Sequence, residues 1–345
     1  MLKNSSKILF LFTLLLGMMI TISSNSWLGA WMGLEINLLS FIPLMIDNNN
    51  LMSNEASIKY FLVQAISSST LLFSILISSM KFNLLYEMNI YNMNYSNLMI
   101  FSTLMLKMGA APFHFWFPGV MEGLSWTNNL VLMTIQKIPP LILISYIFMF
   151  QNILFLMIFL SIFIGSIGGL NQTSLRKIMA FSSINHLGWM LSAMIFSKNL
   201  LTLYFIMYSF LSLVLVILFN LFKMFHLTQL FNMFSNNKIM KFISFMNLLS
   251  LGGLPPFMGF LPKWMIIQNL STNKFLFVII MMVTMTLITL YFYLRMCYAA
   301  FLINSMENNW IMNYKINQYY NLLYLYLSFI SLLGLPLIGL VYFLF

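Results

Sequence analysis

Glu35, Lys107, Lys137, Lys263, His114 and His186 are six titratable side chains set among apolar neighbours. Carboxylate, ammonium and imidazole groups take up and release protons. None of the six lies in a motif for bond-making chemistry. The sequence holds no GxGxxG or GxxxxGK[ST] phosphate loop and no HExxH or CxxC spacing. Its one cysteine, Cys297, excludes an internal disulfide, a Cys-ligated iron–sulfur cluster and a Cys-rich zinc site. In its apolar segment Cys297 reads as inert packing. No redox, nucleotide or metal chemistry is visible, so the chemistry that remains is the movement of charge.

Twelve of the 16 Lys/Arg residues fall between apolar runs, leaving Lys107, Lys137, Lys263 and Arg295 inside them. Of the six acids only Glu35 sits well inside a run; Asp47, Glu55, Glu87, Glu122 and Glu307 lie in loops or at helix ends. One charge at the centre of a bilayer costs roughly 2.5–3.5 kcal/mol, so four exposed to lipid would cost roughly 10–14 kcal/mol. Packing, pairing and water must offset most of that. Burial disfavours the charged ammonium and a nearby carboxylate favours it. A buried lysine therefore gains or loses its proton as a neighbouring charge approaches or leaves, and Glu35, Lys107, Lys137 and Lys263 can pass such changes along a row. His114 and His186 can extend the row, since imidazole titrates near neutral pH. The plainer alternatives are a structural Glu–Lys pair and packed imidazoles. Arg295 reads as a helix-end anchor, and His226 as a solvated loop residue.

These groups need an apolar scaffold, and the composition supplies one. The chain has 345 residues, 61% hydrophobic and 6% charged, against roughly 25% charged in a soluble domain. The net charge of +10 is scattered between apolar runs, as basic residues flanking membrane spans are, and not gathered as a nucleic-acid surface is. Eleven spans are expected, near 5–23, 26–45, 55–80, 96–121, 125–148, 151–170, 174–196, 199–223, 239–270, 274–303 and 320–344.

Two spans are interrupted. Gly109-Ala110-Ala111-Pro112-Phe113-His114-Phe115-Trp116-Phe117-Pro118 is matched, 144 residues on, by Gly253-Leu254-Pro255-Pro256-Phe257-Met258-Gly259-Phe260-Leu261-Pro262. Proline breaks a helix, and lipid tolerates the break only where neighbours or water satisfy the backbone. Each break falls in the fourth of five spans, and five is odd, so the second set enters the membrane inverted. The expected fold is all-α and polytopic, a single membrane domain (1–345). It has five-helix repeats at 1–148 and 151–303 and a linker with a C-terminal helix at 304–345. Paired broken helices in inverted repeats are a transporter arrangement, with the site near the breaks. Gly29-x-x-x-Gly33 and Gly165-x-x-x-Gly169 are close-packing signals.

Nine Lys/Arg between spans fall on the N-terminal side and three on the other, which puts the N-terminus on the matrix side of a mitochondrion and the C-terminus on the intermembrane side. Thirty-two Met and 35 Phe, with abundant Asn, Ile and Tyr, fit the AT-rich codons of an organelle gene. Lys3 and Lys7 precede the first run without a cleavage site, so that run is expected to stay as a span.

The stretches Trp27-Leu28-Gly29-Ala30-Trp31-Met32-Gly33-Leu34-Glu35, Lys107-Met108-Gly109-Ala110-Ala111-Pro112-Phe113-His114, Asn185-His186-Leu187-Gly188-Trp189 and Leu254-Pro255-Pro256-Phe257 resemble the subunit 2 family of animal mitochondrial NADH dehydrogenase. This is an antiporter-like membrane subunit of respiratory complex I, and the resemblance runs over essentially the whole chain. It implies a proton-translocating subunit of an NADH:ubiquinone oxidoreductase in the inner mitochondrial membrane. Its partners would be the other membrane subunits, lipid, protons and water, with no nucleic acid. The family pattern of a glutamate, a lysine on the first broken helix, a lysine on the next helix and a charged residue on the second broken helix matches Glu35, Lys107, Lys137 and Lys263. NADH, FMN, iron–sulfur clusters and ubiquinone would be held by partner subunits and no cofactor by this chain. Bacterial relatives carry three further N-terminal helices. A stand-alone cation/proton antiporter and a purely structural subunit are the competing readings; the organelle-type composition weighs against the first and the row of buried charges against the second.

Overall fold

Apolar runs in lipid have no partner for their backbone except themselves, and so close as helices. The computed structural model of the chain describes residues 5–47, 50–82, 95–147, 151–233, 238–303 and 318–344. Most of the loops expected at 81–95 and 304–319, with Glu87, Glu307 and Lys315, and residues 234–237 of the loop expected at 224–238 lie outside the described residues; the rest of that third loop holds a short helix, Leu227–Met233. The helices are α1 (Ser5–Ser23), α2 (Trp27–Met45), α3 (Leu51–Phe82), α4 (Tyr95–Met108), α5 (Trp116–Gly123), α6 (Trp126–Met133), α7 (Ile138–Ile144), α8 (Gln151–Gly168), α9 (Leu175–Phe196), α10 (Lys198–Leu221), α11 (Leu227–Met233), α12 (Lys238–Gly252), α13 (Phe260–Thr272), α14 (Leu276–Tyr298) and α15 (Gln318–Leu344). Among the described residues extended pairing is limited to an isolated bridge between Ser174 and His226.

Seven of these helices are long and apolar enough to cross a membrane singly: α1, α2, α3, α9, α10, α14 and α15. The shorter apolar α8 and the broken pairs α4/α5, α6/α7 and α12/α13 complete the eleven expected runs. The chain forms two compact units, Met1–Leu160 and Ser161–Phe345, whose division falls inside α8.

Within the first unit α2 lies against α1 and α3, and α3 also carries α4 and α5. Ser26 caps α2 by accepting from Gly29 N at 3.2 Å. The first small-residue pair allows close packing: a Cβ on Gly33 would stand 2.9 Å from the Gly17 carbonyl oxygen of α1. Within the second unit α10 packs on α9, α12, α13 and α15. A Cβ on Gly165 would stand 2.6 Å from Asn185 N of α9, so no side chain fits where these helices meet.

The two interruptions close by the same backbone bonds. Gly109 N donates to Leu106 O and Ala110 N to Met105 O; 144 residues on, Gly253 N donates to Ser250 O and Leu254 N to Leu249 O. Both glycines hold the left-handed conformation, at φ 70° and 85°, that ends a helix in this way. The next turns repeat too, as Phe113 N bonds Ala110 O and Phe257 N bonds Leu254 O. The span holding Lys137 has a third discontinuity that the sequence reading did not anticipate. It passes from α6 through a 3₁₀ turn, Ile135–Lys137, into α7. Pro139 and Pro140 stand at the start of α7 and cannot donate to the carbonyls four residues back.

Candidate proton-transfer site

Helix breaks free carbonyls and leave room beside them, and in the first unit that room is polar. A cavity of about 20 Å³, measured as the space open to the centre of a water molecule, is lined by Lys107 and Lys137 together. One or two waters fill such a volume. Asn37, Tyr60, Gln64 and Gln136 supply its other polar walls, and Phe117 and Trp116 its aromatic ones. Lys107 ends α4 and is 8% exposed; Lys137 sits on the 3₁₀ turn and is 1% exposed. Neither ammonium has reached bulk water by snorkelling. Lys137 Nζ lies 4.8 Å from the centre of the Phe117 ring, a cation–π contact.

Glu35 is half-buried on α2. Its neighbours Leu34, Asn37 and Leu38 line the cavity that holds Lys107, and Glu35 and Lys107 do not close a direct ion pair. Such spacing leaves each group free to change protonation without first breaking a salt bridge. Gln64 Nε2 donates to the Lys107 carbonyl oxygen at 3.3 Å and Trp116 Nε1 to the Leu106 carbonyl oxygen at 3.1 Å. The first satisfies a carbonyl at the broken end of α4, and the second adds to the bond that the Leu106 carbonyl already accepts from Gly109 N. Gln136 Oε1 stands 3.5 Å from the Tyr60 hydroxyl. Gln136 Nε2 and Asn37 Oδ1 are buried without a protein partner, and buried polar atoms of this kind are the ones water satisfies.

His114 is buried in the same break but lies apart from this cavity. Its Nδ1 is 3.3 Å from the Pro112 carbonyl oxygen, and its ring meets Phe115 with centroids 4.3 Å apart.

The second unit builds a different site. Lys263, 6% exposed on α13, donates from Nζ to the Gly252 carbonyl oxygen at 2.7 Å. It therefore caps the carbonyl end of α12, where the helix dipole favours a cation. The same Nζ lies 5.8 Å from the centre of a Trp189 ring on α9. His186, one turn before Trp189, has Nδ1 2.8 Å from the Tyr204 hydroxyl of α10, and its ring centre is 5.0 Å from that of Tyr208. Lys263 and His186 thus share one face of α9. Arg295 is exposed and donates from Nη2 to the Leu170 carbonyl oxygen at 2.6 Å, just past the end of α8, the anchoring position read from the sequence.

The structure thus gathers Glu35, Lys107 and Lys137 in one unit, and Lys263 and His186 in the other. The sequence reading missed Asn37, Tyr60, Gln64 and Gln136 because it followed charges alone. Their signal is polar side chains in the middle of apolar spans, a rarer event in lipid than in water.

The family model for NADH:quinone oxidoreductase/Mrp antiporter membrane segments matches residues 24–289, and that for the C-terminus of NADH dehydrogenase subunit 2 matches 290–342. The NADH-ubiquinone oxidoreductase chain 2 of Anopheles gambiae is 55% identical over 341 residues, covering 99% of both chains. That of Aedes aegypti is 56% identical, again over 99% of both. Among solved structures, a chain of respiratory complex I from Thermus thermophilus with bound aureothin superposes with a TM-score of 0.86 at 21% identity, over 97% of this chain and 79% of that one. A chain of the Mrp complex from Dietzia sp. DQ12-45-1b superposes at 0.80 and 14% identity, over 96% of this chain and 75% of that one. The chain belongs to the NADH-ubiquinone oxidoreductase chain 2 family of antiporter-like, multi-pass membrane subunits.

Proposed function

We propose that this chain carries protons across the inner mitochondrial membrane as a subunit of an NADH:ubiquinone oxidoreductase whose redox chemistry takes place in other subunits. The observation that carries the reading is one small cavity walled by both Lys107 and Lys137 and by Asn37 of α2, the helix that bears Glu35. A charged Glu35 holds the proton on Lys107. When Glu35 is neutralised or draws away, burial drives the ammonium to give its proton up. A water bounded by Lys107, Lys137 and Gln136 offers the path, and Phe117 stabilises the ammonium that forms on Lys137. His114 is a further relay in the first unit, and Lys263 and His186 carry the same chemistry in the second.

NADH, FMN, the iron–sulfur clusters and ubiquinone belong in this reading to partner subunits, and this chain's own contacts are with membrane subunits, lipid, water and protons. The basic bias of the loops supports an N-terminus on the matrix side and a C-terminus on the intermembrane side. The likeness to the Mrp complex supports the stand-alone antiporter as second reading, but near-full-length identity to chain 2 proteins favours the first.

The test is proton pumping per NADH oxidised by the assembled complex carrying Lys107→Ala or Glu35→Gln. Both lower the ratio while assembly and NADH oxidation persist. Normal ratios in both would leave a scaffold.

A further inference from the structure

The backbone of the second break is held from outside its own helix pair. Met258 N, in the turn between α12 and α13, donates to the Ser331 carbonyl oxygen of α15 at 3.2 Å. Gly334, one turn further along α15, makes room for the Met258 side chain: a Cβ there would stand 2.8 Å from Met258 Sδ. Asn247 of α12 uses both ends of its amide on the same helix. Its Nδ2 donates to the Tyr324 hydroxyl at 2.9 Å, and its Oδ1 lies 2.6 Å from Ser331 Oγ, whose one proton it shares with the Ser328 carbonyl oxygen at 2.8 Å. Asn247, Tyr324 and Ser331 are all fully buried. Tyr324 and Ser331 are two turns apart on one face of α15, so a single stripe grips both α12 and the turn that follows it.

The gripped segment ends in the carbonyl that receives the Lys263 proton donor. Gly252 lies five residues after Asn247, about 7.5 Å along a rigid helix, and its oxygen accepts from Lys263 Nζ at 2.7 Å. Gly253, next in the chain, passes directly beneath the same side chain; a Cβ there would meet Nζ at 2.9 Å. A shift of α12 or of the break moves this carbonyl from the ammonium. α15 belongs to neither five-span set, and it lies in the region matched by the subunit-specific C-terminal model and not by the shared antiporter model.

We infer that Asn247, Tyr324 and Ser331 are positioning residues, a hydrogen-bonded clamp by which the C-terminal helix fixes the second break and so the carbonyl that holds Lys263. This rests on the reading that Lys263 exchanges a proton. A buried amide satisfied at both ends fixes one register between helices, and losing either partner leaves the rest of the network unpaired.

The test uses the whole assembled complex with Ser331→Ala and, separately, Tyr324→Phe, which removes one oxygen and little volume. Lys263→Ala runs beside them. Assembled amount, protons pumped per NADH and the pH profile of pumping are measured. The clamp predicts that the assembled variants keep NADH oxidation, pump fewer protons per NADH, and move the profile by half a pH unit or more, about 0.7 kcal/mol at 1.36 kcal/mol per unit. Wild-type ratio and profile in both variants would overturn it. So would a fall in assembled amount alone, with each assembled complex pumping normally, because that is the mark of simple helix glue. If Lys263→Ala lowers pumping and the clamp variants do not, the Lys263 assignment stands and the clamp falls. If Lys263→Ala pumps normally, the assignment of Lys263 falls and the clamp with it.

Discussion

At the scale of single residues, the proposed proton transfer depends on polar atoms buried inside the bundle. Gln136 is the sharpest case. Its Nε2 is buried without a protein partner, and its side chain walls the cavity that Lys107 and Lys137 share. Leaving such a buried donor unpaired costs about 1–3 kcal/mol, which a water held in the cavity offsets. Gln136→Leu, which removes the amide at similar volume, should therefore slow proton transfer through this subunit by tenfold or more, by the rule of about 1.4 kcal/mol per decade. Proton uptake measured against NADH oxidation in sealed vesicles checks this, and an unchanged ratio would show the amide to be packing. The four main charges were legible because a charge inside an apolar run is conspicuous in sequence. The amides and Tyr60 were not, because Asn, Gln and Tyr also stand at helix ends and interfaces, and only the folded chain turns these ones toward one cavity.

At the scale of elements, the breaks were legible because proline and glycine state their backbone demands directly. The 144-residue offset read from the sequence reappears in the hydrogen bonds that close α4 and α12. The third break was missed for a physical reason. Pro139 and Pro140 carry the same backbone signal, but no glycine stands beside them and no proline stands 144 residues on, so the span reads as continuous. The left-handed glycines give two predictions. Forcing a side chain into that conformation costs roughly 1–2 kcal/mol, so both Gly109→Ala and Gly253→Ala should lower the thermal stability of the complex. Only Gly253→Ala puts its new methyl against Lys263 Nζ, whereas Gly109→Ala meets Phe117. Thermal unfolding followed alongside pumping would check both, and wild-type stability in the two variants would contradict the backbone argument. Close packing gives another: Gly165→Val drives a side chain into the Asn185 backbone and should cost about 1–3 kcal/mol, seen as less assembled complex on a native gel.

At the scale of the whole molecule, the class was legible from composition and span count, because only a membrane bundle can be 61% hydrophobic and stay folded. Among the described residues, helix length taken alone finds seven helices able to cross a membrane; the remaining expected spans are short or broken, and Lys107, Lys137 and Lys263 lie at the breaks. The central claim is that Lys107 and Lys137 pass protons through the cavity they share. Lys137→Met is the sharpest variant, since methionine keeps most of the side-chain length while removing the charge and its cation–π contact with Phe117. The measurement is the number of protons moved per NADH oxidised by the assembled complex in sealed vesicles. The account predicts a lower number with NADH oxidation retained; a number equal to that of the unmodified complex would contradict it.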